Sequence, residues 1–227
     1  MLSRRHFGLG AAAVGTLVSA RPAFADGPDG RLVFDVYREG DRIGVHEVRL
    51  RQDGDRIEAD IHIDLAVKFA FLTAYRYEHR NREVYEGDQL VSMRSRTDNN
   101  GEKLKVDVTR DGDELVVDGK AGRRRVAGDL LPTTYWQPRS VRQNRWIDSQ
   151  NGRVVESEVT ALGADRIRYE GREVPADRFK LRGDLDCDLW YGPEGWAKLA
   201  FEVRGSRISY RRRAESDVAS LEQAVRS

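Results

Sequence analysis

From Arg31 to Arg213 apolar and charged residues alternate in short runs, and clusters of Gly, Asp and Asn break the runs about every 8 to 12 residues. A period of two marks a strand, whose successive side chains point to opposite faces of a sheet. The clearest case sets Phe179, Leu181, Gly183, Leu185, Cys187 and Leu189 on one face against Lys180, Arg182, Asp184, Asp186 and Asp188 on the other. The same reading turns Leu104, Val106 and Val108 inward against Lys103, Lys105 and Asp107, and Leu199, Phe201 and Val203 inward against Lys198 and Glu202. The breaks are Glu39-Gly40-Asp41, Asp53-Gly54-Asp55, Asp98-Asn99-Asn100-Gly101, Asp111-Gly112-Asp113, Asn151-Gly152 and Gly192-Pro193-Glu194-Gly195. They supply the positive-φ and side-chain-capped positions that antiparallel connections need.

A sheet that is apolar on one face and charged on the other has to close on itself or be covered. The expected fold is therefore mostly β: an antiparallel curved sheet or incomplete β-barrel, its apolar faces meeting inside. Leu130 to Asn144, which holds Pro132 and Pro138, interrupts the strands and reads as a long connection crossing between halves of the sheet. Val218, Leu221, Ala224 and Val225 fall at helical spacing, predicting a short C-terminal helix over Ser216 to Val225. There is no Pro-, Ser- or Gly-rich linker and no repeat of fixed period, so residues 26–227 are expected to form a single domain.

Residues 1–25 read as a twin-arginine signal peptide. Arg4 and Arg5 are followed two positions later by Phe7, and then by the weakly apolar stretch Gly8 to Ala20. At about 13 residues that stretch is too short for a bilayer core, which needs roughly 20. Ala23 and Ala25 form a small-x-small site, placing cleavage after Ala25. The expectation is export by the twin-arginine machinery and a periplasmic mature chain. That route carries folded proteins, some with cofactors, but no local spacing here supplies a cofactor's ligand set, and none is expected.

The chain has 39 basic and 38 acidic residues. Without Arg4, Arg5 and Arg21 the balance is 36 to 38, a net charge of −2. That leaves no global field for nucleic acid, which is expected not to be a partner. After the signal the longest apolar run is Leu65 to Leu72, with Lys68 inside it, so no transmembrane segment is expected in the mature chain. The single cysteine, Cys187, excludes an internal disulfide and any multi-cysteine metal site.

Two stretches carry a family resemblance. One is Tyr75-Arg76-Tyr77-Glu78-His79, Glu83, Glu86-Gly87-Asp88-Gln89-Leu90-Val91 and Thr97-Asp98-Asn99-Asn100-Gly101. The other is Leu131-Pro132-Thr133-Thr134-Tyr135-Trp136, echoed at Leu181-Arg182-Gly183 and Leu189-Trp190-Tyr191-Gly192 and closing on Ile208-Ser209-Tyr210. Together they resemble a family of exported, uncharacterised bacterial β-rich proteins, a domain of unknown function; Tyr85 stands where that pattern has a larger aromatic. The resemblance implies the fold and the export and brings no chemistry.

His46, His62 and His79 each have carboxylates close by in sequence, namely Glu47, Asp64, and Glu78 with Glu83. On a strand, however, His79 and Glu83 lie roughly 13 Å apart, too far to grip one ion, so no metal is expected. There is no Gly-x-Ser-x-Gly elbow, and Cys187 falls on an apolar face, where a cysteine acts as a small hydrophobe. Asp184, Asp186 and Asp188 form a row about 6.6 Å apart that reads as a solvated face beside Lys180 and Arg182, as do Arg123-Arg124-Arg125 and Arg211-Arg212-Arg213. Aromatic rings gather at strand ends and in the connection, where amphipathic rings line barrel mouths. Tyr75, Tyr77, His79, Glu83, Tyr135, Trp136 and Trp190 are therefore the candidate ligand-binding residues, and no catalytic residue is assigned. The expected function is binding of a hydrophobic small molecule or lipid, with Val67 to Leu72 available to floor a cavity. The alternatives are a cell-envelope structural or protein-interaction domain, and a hydrolase-like enzyme using Glu78, His79 and Glu83.

Overall fold

The computed structural model describes residues 29–69, 72–169 and 171–214. The chain runs through β1 (Asp29–Arg38), β2 (Asp41–Asp53), β3 (Arg56–Phe69), β4 (Leu72–Glu86), β5 (Gln89–Asn99), β6 (Glu102–Asp111), β7 (Glu114–Gly119) and β8 (Gly122–Ala127). It continues through β9 (Leu131–Pro132), β10 (Arg145–Ile147), β11 (Val154–Tyr169), β12 (Arg172–Gly183), β13 (Cys187–Gly192), β14 (Gly195–Val203) and β15 (Ser206–Arg212). All fifteen belong to one open sheet, ordered β8 back to β1, then β15 back to β9. Each half is a meander in which a strand pairs with the next, and β1 against β15 joins the halves. The pairing is antiparallel except for β9 beside β10, which is parallel.

The sheet curls. Its edge strands, β8 and β9, are joined by only residues 128–130, a span of at most about 15 Å from Ala127 to Leu131. Across the seam Lys120 N donates to Asn151 O at 2.9 Å, and Arg124 donates to Gly152 O. The connection foreseen over Leu130 to Asn144 begins at this link and runs on from β9 to β10 within one half of the sheet. It contains β9 and the 3-10 turn Pro138–Arg142, the one helical segment among the described residues. The C-terminal helix expected over Ser216 to Val225 lies outside the described residues, as does the signal peptide, residues 1–25.

One apolar cluster fills the inner face, from Leu32, Phe34 and Val48 through Val106 and Val117 to Trp146, Leu181, Leu189, Trp196 and Tyr210. A second, smaller one lies on the outer face, where Ile167, Ala176, Trp190, Ala197 and Ala200 meet. The long alternating face from Phe179 to Leu189 belongs to two strands rather than one. Gly183, at φ 146°, ends β12, and Leu181 pairs with Cys187 across the β12–β13 ladder. Ser157 fixes the corner: its hydroxyl accepts from Leu185 N at 2.8 Å, while the Asp184 carboxylate accepts from Glu156 N at 3.0 Å. Alternation survives the corner because both strands turn the same face inward. Leu199 and Phe201 pack inside as expected, whereas Val203, at the strand end, is exposed.

Candidate functional site

Strand β4 presents Tyr77, His79, Asn81, Glu83 and Tyr85 toward the inside, so a polar stripe runs through an otherwise apolar interior. Its chemistry differs from one end to the other. At Glu83, which has no solvent exposure, donors close over the carboxylate: Trp136 Nε1 at 2.9 Å, Tyr85 hydroxyl at 2.8 Å and Asn81 Nδ2 at 2.9 Å, with the Thr134 hydroxyl beside them. Burial pushes the Glu83 pKa up, and those four hydrogen bonds pull against it. Trp136 reaches Glu83 because the connecting segment folds inward. Tyr135 takes a left-handed backbone (φ 58°), its carbonyl accepts from the Tyr191 hydroxyl at 2.8 Å, and Trp146 Nε1 donates to Ser140 O at 3.1 Å. This end is a plug in which the Glu83 carboxylate is fully answered, while Asn81 Oδ1 has no partner among the described residues.

The other end of the stripe is not so closed. His79 Nδ1 lies 2.8 Å from Thr97 Oγ1, but its buried Nε2 has no partner. His46, facing the same interior from β2, has neither ring nitrogen bonded. It sits edge-on to Trp196 (5.2 Å), Tyr210 (5.6 Å) and Phe34 (6.0 Å), while Tyr77 stacks on His79 at 6.3 Å. The register places Ile63 opposite both histidines, His46 on β2 and His79 on β4. Burial drives both imidazoles toward the neutral form, His46 down to about 3 and His79 down to about 4. Ile63 opposite both, Leu65 opposite Tyr77, Tyr135 against Trp196 and Phe201 against Tyr210 are only partly buried. A neutral imidazole offers one donor and one acceptor, and leaving a buried polar group unsatisfied costs about 1–3 kcal/mol.

The structure gathers some of the residues expected to line a site and separates others. Tyr77 and His79 share the histidine wall, with the Tyr77 hydroxyl donating to Gln150 Oε1 at 3.2 Å. Tyr75, half-buried, donates to Asn99 Oδ1 at 2.8 Å. Tyr135 lies against Trp196, ring centres 6.4 Å apart. Glu83 and Trp136 belong to the plug. Trp190 stands on the outer face, its indole donating to Asp165 at 2.8 Å. Of Val67 to Leu72, the side chains from Phe69 onward lie outside the described residues.

Glu78, His79 and Glu83 do not converge. Glu78 faces outward, paired with Arg80 at 2.8 Å, while both Glu83 oxygens are held by the plug donors. Among the described residues no group of three or more His, Cys, Asp or Glu could hold a metal ion, and no helix is long and apolar enough to cross a membrane. His46 was not foreseen as a site residue. Its signal lay in parity, since Gly44, His46, Val48 and Leu50 alternate with Val45, Glu47 and Arg49.

A curled, nearly closed β-sheet whose interior carries aromatic rings and two neutral histidines defines a barrel-like β domain. The chain belongs to the DUF6134 family, a domain of unknown function, whose family model matches residues 34–213. It is also similar in fold to a crystal structure from Brucella abortus described as a beta-barrel-like protein of domain of unknown function DUF1849. That likeness has a TM-score of 0.57 at 10% sequence identity and covers 82% of this chain and 95% of the other. No curated protein matches the chain.

Proposed function

We propose that this is an exported, periplasmic binding module that holds a hydrophobic small molecule or lipid in the interior, its polar end against His46 and His79. The observation that carries the reading is the set of three buried imidazole nitrogens without a partner, His46 Nδ1 and Nε2 and His79 Nε2, set among half-buried apolar side chains. A hydroxyl or comparable headgroup both donates and accepts, which is what two neutral imidazoles ask of a ligand. The surrounding rings suit its apolar body. Export rests on the paired Arg4 and Arg5 and the Ala23-x-Ala25 site.

The test is titration with the uncharged lipophilic fluorophore N-phenyl-1-naphthylamine. The reading expects a saturable rise in emission, abolished by Ile63→Trp, which fills the space between the histidines, and kept in His46→Phe, which removes only polar contacts. Circular dichroism and a thermal melt check that each variant is folded. A wild type without a saturable rise, or a folded Ile63→Trp that binds as wild type does, overturns the assignment.

A further inference from the structure

The outer face of β12–β15 carries a cross-strand row that the interior does not explain. Arg178 pairs with Trp190, Trp190 with Lys198, and Lys198 with Arg211, each directly opposite the next. Opposed like charges destabilise an antiparallel ladder, so Lys198 against Arg211 puts a repulsion into the sheet that no acid offsets. The acids nearby are engaged elsewhere. Asp188 holds Arg178 at 3.2 Å, Asp165 accepts from the Trp190 indole, and Asp35, opposite Arg211, bonds Arg42 at 2.5 Å and Arg213 at 2.8 Å. Glu202 lies opposite Arg207, two same-face steps beyond this row. Among the described residues neither Lys198 nor Arg211 has an ion-pair partner within 4.0 Å.

The two cations lean apart, each onto a ring: Lys198 Nζ lies 4.2 Å from the centre of Trp190, and Arg211 Cζ 4.2 Å from the centre of Tyr37. Next along the same face, the paired residues are Ala200 and Ser209. The two cations thus diverge above the Ala200–Ser209 pair, each with an aromatic ring beneath it, Ala200 buried and Ser209 half-buried. Burial, and the charges of Arg207, Arg178 and Arg211, lower the proton affinity of Lys198, while Asp165 opposes them. An anion between the two cations would reverse that.

We propose that this cationic pair binds a phosphoryl group between Lys198 and Arg211. A dianion balances both cations, and the guanidinium fork matches phosphate oxygens in pairs. The source, a free phosphate or the headgroup of an anionic lipid, is separated by two arms of one experiment. In the first, inorganic phosphate is titrated at constant ionic strength while the Trp190 indole N–H resonance is followed, assigned with Trp190→Phe, with chloride as control. In the second, the protein is sedimented with phosphatidylcholine vesicles with and without phosphatidylglycerol.

Free phosphate as the source predicts a saturable shift with no vesicle binding; a headgroup predicts co-sedimentation with the anionic vesicles only. In either case Lys198→Ala or Arg211→Ala weakens binding about tenfold, and the double variant abolishes it. Arg211 is exposed and Lys198 half-buried, so a thermal melt of each variant shows that it is folded before its binding is read. The proposal is overturned if phosphate moves the indole no more than chloride and no vesicle binds, or if the double variant responds as wild type does.

Discussion

Acidification tests the buried histidines most sharply. In the unfolded chain each imidazole takes a proton near its ordinary value of 6.5, whereas in the fold His46 resists until about 3 and His79 until about 4. The folded values are depressed, so the stability these groups contribute is complete above 6.5 and drains away as pH falls toward 4 and 3. Between about pH 7.5 and about pH 5 the unfolded state gains nearly one proton per histidine, which costs about 2 kcal/mol each and about 4 kcal/mol together. Glu83 opposes this. Its raised pKa makes the folded state the stronger proton binder, so its contribution grows as pH falls. A variant removes that confusion. His46→Phe keeps an aromatic ring among Phe34, Trp196 and Tyr210 but cannot titrate, and should lose about 2 kcal/mol of the acid-dependent drop. Urea unfolding of both proteins at the two pH values gives the difference. If wild type and variant lose the same stability to within about 0.5 kcal/mol, the buried, neutral state assigned to His46 is wrong.

Glu83→Gln keeps the shape of the plug but sets an amide donor against donors already aimed at the carboxylate. It should cost about 2 kcal/mol, seen as a melting temperature roughly 4–8 °C lower, and an unchanged melt would mean the carboxylate is not the hub described. Gly44 lies opposite Leu65 across the β2–β3 ladder with no room for a side chain, a Cβ there falling 2.0 Å from the Asp64 carbonyl oxygen. Gly44→Ala should therefore separate these strands and cost at least about 2 kcal/mol in urea unfolding, whereas wild-type stability would show that the strands do not approach so closely. Cys187 is buried, and burial pushes its thiol up to about 12, so iodoacetamide should label it only after unfolding; rapid labelling of the native protein at neutral pH would contradict its placement.

The sheet was legible because its face pattern is regular and its turns are chemically explicit. All six Gly- and Asp-rich breaks fall at connections between strands, from Glu39-Gly40 between β1 and β2 to Pro193-Glu194 between β13 and β14. The corner between β12 and β13 was not legible, since Asp184-Leu185-Asp186 preserves the alternation while the chain reverses around Ser157. The interior stripe was hidden for another reason. Along β4 both faces are polar, Tyr77, His79, Asn81 and Glu83 against Glu78, Arg80 and Arg82, so periodicity could not say which side is buried. Pairing with the apolar positions of β3 and β5, such as Ile63 opposite His79 and Met93 opposite Glu83, decides it, and pairing is a tertiary fact. Trp190 differs, because plain alternation between Leu189 and Tyr191, both inside, already sets it on the outer face; the bulge there skips Ala197 of β14.

The central claim, that the interior holds a lipophilic ligand, is tested most directly by native mass spectrometry with lipid extraction on protein purified from its own host. The account predicts a stoichiometric adduct that is extracted by organic solvent and diminished in Ile63→Trp. A clean mass with no adduct and an empty extract would contradict it, leaving His46 and His79 as buried groups of the core without a ligand.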